Sequence, residues 1–174
     1  MHQNAGFTAV DTMPRIVTRR SQIHGNGVFA ATDIPAGVRL IQYKGKLLTH
    51  AQSDRLYPDG ADTGHTFLFV LNDSYVLDAN QGGNSARWIN HSCDPNCEAV
   101  LVEDESGDPR RDRVFIESIR PIARGEELTY NYGIVLDVPH TPAMKRIWAC
   151  RCGSANCTGT ILQPKRRRKN GVRA

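Results

Sequence analysis

No stretch of this chain is apolar enough to enter a bilayer. Its longest unbroken apolar run, Phe67-Leu68-Phe69-Val70-Leu71, falls far short of the roughly 20 residues that a membrane-spanning helix needs. A charged segment leading into an apolar one, the mark of a secretory leader, is missing from the start, so a soluble, unsecreted, intracellular protein is expected, with no membrane partner. Internal repeats and heptads are missing too, which removes the repeat architectures and coiled coils. Cysteine is sparse and odd in number, at positions 93, 97, 150, 152 and 157; with no secretion signal, a closed disulfide framework is not expected. Acidic residues are absent from 138–174, which hold 9 basic side chains, whereas 1–137 hold 13 basic and 18 acidic ones, a net of −5.

What is present, 174 residues, suits one domain that buries roughly two-thirds of its unfolded surface without disulfide support. The acidic body suits a cationic substrate. The run Lys165-Arg166-Arg167-Arg168-Lys169 reads either as a solvated, disordered end or as an address for the nucleus, chromatin or a nucleoid, adding a weak, salt-dependent nucleic-acid contact. Strands outnumber helices, so the fold class expected is mostly β with short helices. Strands are expected at Ile16-Val17, Val28 to Ala30 and Val38 to Tyr43, parted by turns at Gly25-Asn26-Gly27 and Pro35-Ala36-Gly37. Thr66 to Leu71 and Tyr75 to Leu77 suggest a hairpin around Asn72-Asp73, and Ala99 to Val102 pairs with Val114 to Ile119 across the charged loop 103–113. Residues 50–64 are polar, with a turn at Tyr57-Pro58-Asp59-Gly60 and one short helix at Ala51 to Leu56.

Cys150-x-Cys152-x4-Cys157 puts three thiols on a tight loop, and three clustered ligands need a distant fourth to close a tetrahedral Zn²⁺ site. Cys93 would supply it. Cys97 is the competing fourth ligand, with a buried free thiol as its simpler reading, and reduced thiols packed as small apolar groups are the alternative to metal. His24-Gly25-Asn26-Gly27-Val28-Phe29-Ala30 is a Gly-x-Gly turn that lets backbone curl around a ligand, but it lacks the third glycine and the helix of a dinucleotide fingerprint. Asn90-His91 beside a proline-braced turn offers amide and imidazole groups, in isolation a turn cap as readily as a cofactor clamp. Tyr130 and Tyr132, at i and i+2, share one face of a strand, where they could simply serve a core.

Read in order, Gly25-x-Gly27-Val28-Phe29-Ala30, Tyr43-x-Gly45, Arg87-Trp88-Ile89-Asn90-His91-Ser92-Cys93-x-Pro95-Asn96, Glu127-Leu128-Thr129-Tyr130-x-Tyr132 and Cys150-x-Cys152-x4-Cys157 resemble the SET-domain protein lysine methyltransferases with their post-SET cysteine loop. The resemblance implies a β-clip-like fold of small sheets in which the Asn-His-Ser and tyrosine segments form a pseudoknot, followed by a small C-terminal post-SET zinc loop. It divides the chain into a lead-in at 1–14, a SET domain at 15–137, the post-SET cysteine loop at 138–163 and a basic tail at 164–174. It also implies S-adenosylmethionine as methyl donor, held by the backbone of Asn26, Gly27 and Val28 and by Arg87, Asn90 and His91. A structural Zn²⁺ would sit on Cys93, Cys150, Cys152 and Cys157. Tyr132 matches the family's catalytic tyrosine and Tyr130 the position that limits how many methyl groups are added, so mono- or dimethyl-lysine is implied. Phe67 and Trp148 would line the lysine channel, Trp148 also covering the adenine unless it is a plain core aromatic. The implied substrate is a basic protein such as a histone, a histone-like protein or a ribosomal protein.

The chain departs from the family pattern at three places. Phe67 stands where many members have a tyrosine, Asn131 replaces the usual aspartate between the tyrosines, and Trp88 replaces a common phenylalanine. The insert at 46–65, which normally shapes substrate choice, is short. The competing reading is a catalytically weak SET-like module that binds basic protein tails or nucleic acid; retention of Tyr130, Tyr132 and the full cysteine set favours the enzyme.

Overall fold

Alternating burial along Arg113–Ser118, where Val114, Ile116 and Ser118 turn inward and their neighbours stay wholly or partly exposed, marks the strand around which the fold is arranged. The computed structural model describes residues 15–64, 67–136 and 138–164. In chain order the elements are β1 (Ile16–Arg20), β2 (Asn26–Ala30), β3 (Arg39–Tyr43), β4 (Lys46–Thr49), α1 (His50–Leu56), α2 (Gly60–Thr63), β5 (Leu68–Val70) and β6 (Tyr75–Asp78). A 3₁₀ turn at Ser85–Trp88 then leads into β7 (Asn90–His91), β8 (Cys97–Val102), β9 (Arg113–Ser118), β10 (Thr129–Tyr130) and α3 (Pro142–Ile147). β1 pairs with β2, β9 lies between β3 and β8, and β6 lies between β4 and β5, all antiparallel. Only β7 and β10 run parallel among the described strands.

The mostly-β expectation holds, and so do the hairpin around Asn72-Asp73, as β5 and β6, and the pairing across 103–113, as β8 and β9. Val28, Ile34, Ile89, Val114, Ile116, Ile122 and Leu128 are almost fully buried and form one core beneath the sheets. Gly45 lets β4 start against the β6 end: a Cβ there would sit 2.6 Å from the Asp78 carbonyl carbon.

Several elements depart from the expectations, α2 among them, since one helix and a turn through Gly60 are expected at 50–64. β4 falls at the start of the insert at 46–65, where no strand is expected, because its alternation is only four residues long and runs straight into a helix. That helix, α1, begins at His50 rather than Ala51, where Thr49 and Gln52 cap each other reciprocally. α3 was not expected at all, although Thr141 followed by Pro142 is a start signal; the Thr141 hydroxyl accepts from the Met144 N–H. The expected lead-in at 1–14, Thr66 and the Lys165–Lys169 run lie outside the described residues. No described helix is long and apolar enough to cross a membrane.

Candidate active site

The parallel pair β7 and β10 places Asn90 beside Thr129 and His91 beside Tyr130. Asn96, 1% exposed, secures this junction: its Oδ1 accepts from the Thr129 N–H at 2.8 Å and its Nδ2 donates to Glu127 O at 2.8 Å. The segments expected as a pseudoknot are thus tied side by side by a buried amide whose donors and acceptor are used. Asn90 works in the other direction. Its Nδ2 donates to His24 O at 3.2 Å, Asn26 O at 3.0 Å and Glu127 Oε1 at 2.7 Å, which draws the bend at His24-Gly25 and the start of β2 onto β7; Asn26 and Gly27, expected in the turn, belong to the strand. Glu127 also accepts from the Ser21 hydroxyl at 2.7 Å. Gly27 is required by this closeness, since a Cβ there would run into the Glu127 carboxyl and lie 2.9 Å from Ser21 Cβ.

The turn, β7 and the chain after α3 enclose a cavity of ≈ 470 Å³, inside the range of cofactor sites. Asn26, Arg87, Asn90, His91, Phe67, Tyr132 and Trp148 all line it. Gly27, Val28 and Tyr130 do not: Val28 is a core residue, and Tyr130 packs behind Tyr132 with ring centres 4.9 Å apart. Arg87 lies 4.5 Å above the Trp88 ring and donates to Ala79 O at 2.9 Å, while Phe67 meets Trp88 edge-on at 5.1 Å. Trp148 is 2% exposed, so it is both a core aromatic and a cavity wall. A planar aromatic wall, a guanidinium and the open edge of a glycine turn make a donor set that fits a nucleoside carrying charged groups.

Tyr132 is held at two points. Its hydroxyl donates to Ile89 O at 2.9 Å and its N–H to His91 Nδ1 at 3.1 Å. Desolvation pushes the Tyr132 and Tyr130 phenols well above their ordinary value, so both are neutral donors rather than phenolates. Burial lowers the His91 imidazole to about 4, leaving it uncharged near neutrality. Tyr43 is buried behind them with its hydroxyl 3.2 Å from Phe67 O. Glu127 and Ser21 are further supports; Glu127 sits within the tyrosine motif, but nothing in sequence reveals that Asn90 and Ser21 converge on it.

Cys93, Cys150, Cys152 and Cys157 bring their sulfurs within 4.8 Å of one another. A tetrahedron with metal–sulfur bonds of about 2.3 Å needs sulfurs about 3.8 Å apart, and Cys93 and Cys150 stand at 3.8 Å. The residues therefore fit zinc. Cys97 is elsewhere, 1% exposed in β8 with its thiol pushed up to about 12 by burial. Within the cluster burial raises Cys152, but hydrogen bonds from Cys93, Ser154 and Cys150 outweigh it and bring that thiol down to about 5.

A model of the SET domain matches residues 25–133. The chain belongs to the SET-domain family. Its SET-domain relatives include histone-lysine N-methyltransferase trithorax of Drosophila virilis, 39% identical over 140 residues that cover 79% of this chain and 3% of the relative. Histone-lysine N-methyltransferase 2B of Homo sapiens is 37% identical over 140 residues, 79% of this chain and 5% of its own length. A histone-lysine N-methyltransferase of Chaetomium globosum, named as H3 lysine-4 specific, is 35% identical over 146 residues, 82% of this chain and 13% of its own. The chain thus spans only 3% to 13% of the length of these relatives.

Proposed function

We propose that this chain is an S-adenosylmethionine-dependent protein-lysine N-methyltransferase acting on a histone or a histone-like or ribosomal basic protein. The observation that carries the reading is one cavity whose lining combines Tyr132, Phe67 and Trp148 with Arg87, Asn90 and His91, in a chain of the SET-domain family. Asn26, Arg87, Asn90 and His91 would hold the donor, Asn90 by fastening the turn rather than by spending its own amide. Gly27 and Val28 would serve by keeping that turn close. The domain limits that accompany the reading are 15–137 for the SET body and 138–163 for the cysteine loop.

The chemistry supplied by bound S-adenosylmethionine is a methyl group on a cationic sulfur. A free lysine, with its pKa near 10.4, is neutral only about once in 2,500 molecules at pH 7, a handicap of roughly 4.6 kcal/mol. Phe67, Tyr132 and Trp148 would strip water from the incoming ammonium and lower its pKa. Tyr132, a neutral phenol, would orient the amine lone pair and stabilise developing charge, and no dedicated base is needed. Zinc on the four cysteines would fix residues 150–157 against β7 and so keep Trp148 over the cavity. A chromatin or nucleoid location follows from such a substrate and agrees with the basic run at 165–169.

The test is incubation with labelled methyl donor and a panel of histones, ribosomal proteins and the chain itself, read by mass spectrometry. Methyl-lysine on a basic protein is expected. Failure to bind the donor by calorimetry in the zinc-loaded chain would overturn the reading.

A further inference from the structure

One imidazole touches both the cysteine cluster and the tyrosine segment. The Tyr132 N–H donates to His91 Nδ1 at 3.1 Å, so Nδ1 carries no hydrogen and the ring proton of the neutral imidazole sits on Nε2. Nε2 in turn lies 3.6 Å from Cys93 Sγ, a distance suited to N–H···S. The residue is 5% exposed, and its ring packs edge-on against Tyr132 at 5.4 Å. Its backbone is pinned by the β7–β10 pairing. With both nitrogens engaged and the strand fixed, the ring reports the position of one partner to the other. A metal-bound cysteine is a thiolate, an acceptor only, and a charge-assisted hydrogen bond to it is stronger than one to a thiol.

We propose that His91 is a positioning residue shared by the metal and the tyrosine: Nε2–H holds the Cys93 sulfur while Nδ1 holds the Tyr132 amide, so metal loading and the placement of Tyr132 are coupled through one ring. The proposal rests on the zinc reading of the cysteines and on the role given to Tyr132 above. It gives His91 a second task, beside its place in the lining of the donor cavity.

Two substitutions separate the two bonds. His91→Asn keeps an oxygen acceptor at the δ position and removes the ε donor, whereas His91→Gln keeps an N–H at the ε position and removes the δ acceptor. Zinc affinity is measured by competition with a chelator, the sulfur-to-metal absorption band is recorded with Co²⁺, and exchange of the Tyr132 amide is followed by NMR with and without Zn²⁺. His91→Asn is expected to weaken zinc about 10- to 100-fold, as losses of outer hydrogen bonds to metal ligands do, and to shift the Co²⁺ band. His91→Gln is expected to bind zinc with near-natural affinity, but with a Tyr132 amide that exchanges fast whether or not zinc is present. In the natural chain zinc removal should speed that exchange by about fivefold or more. Equal zinc affinity in the natural chain and His91→Asn, or a Tyr132 amide indifferent to zinc in the natural chain, overturns the proposal. If His91→Asn fails to fold, weakened zinc binding in His91→Gln overturns it and preserved binding with fast exchange supports it. None of these readouts uses methyl transfer, so an inactive natural chain would defeat the proposed function while the coupling is decided on zinc and exchange alone.

Discussion

The Tyr132 hydroxyl is one oxygen, yet the reaction proposed here depends on where it points. With Tyr132→Phe the hydrogen bond to Ile89 O is lost together with the polar group beside the reacting atoms. Turnover should fall about 10²- to 10³-fold, the usual loss for an oriented polar group at a reacting centre, while calorimetry finds the affinity for the methyl donor little changed. Near-normal turnover would remove Tyr132 from its role. Tyr130 lies 4.9 Å behind Tyr132 and outside the cavity lining, so on the proposed reaction it would act at one remove. Replacing its hydroxyl by hydrogen in Tyr130→Phe frees space and a water partner, worth about 1–3 kcal/mol, and should raise the methylation state of a peptide seen in long-incubation mass spectra. Abundant trimethyl-lysine from the natural chain would mean that Phe67, lacking a hydroxyl of its own, outweighs Tyr130. The place of Tyr132 in the cavity was legible because it sits in a rare string. The Asn90 fan of hydrogen bonds was not, since its acceptors are backbone carbonyls of a turn whose approach no string encodes.

At the level of elements, the turn before β2 is held to β7 largely by Asn90. Asn90→Ala leaves two carbonyls and a carboxylate short of a donor, which should cost about 2 kcal/mol and lower the melting temperature by roughly 4–8 °C in a chain of this size. An unchanged melting curve would show that water replaces the amide without loss. The cysteine loop behaves as a separate unit. Chelation, or Cys152→Ser, should raise hydrogen exchange across 148–162 and lower activity while β3, β8 and β9 stay protected, because their core of Val114, Ile116 and Ile34 owes nothing to metal. Global unfolding on chelation would contradict this. Hairpins and turns were readable because glycine, proline and asparagine punctuate them. β4 escaped because its four residues lie between a close-packed glycine and a helix cap, and α3 because its burial is slight and only its cap marks it.

Across the whole molecule charge is divided unevenly, with a net of −5 in residues 1–137. A basic peptide should therefore bind less well as salt rises and the screening length shortens from about 10 Å at 0.1 M; its KM is expected to increase severalfold between about 50 and 200 mM salt, and a flat KM would show that steering by the acidic body is absent. The fold class and family were readable from five motifs in order, whereas the closeness of distant segments was not, because it arises only when β7 meets β10 and Cys93 meets the last three cysteines. That closeness has a meaning in time. A growing chain leaves the ribosome N-terminal end first, so the Asn90 and Tyr130 segments can find each other while Trp148 and the last cysteines are still hidden in the exit tunnel. The cavity wall at Trp148 comes after the β7–β10 pair, and a nascent chain stalled before residue 157 would carry Tyr130 and Tyr132 yet lack the fourth thiol of the cluster that gathers Cys93, Cys150, Cys152 and Cys157.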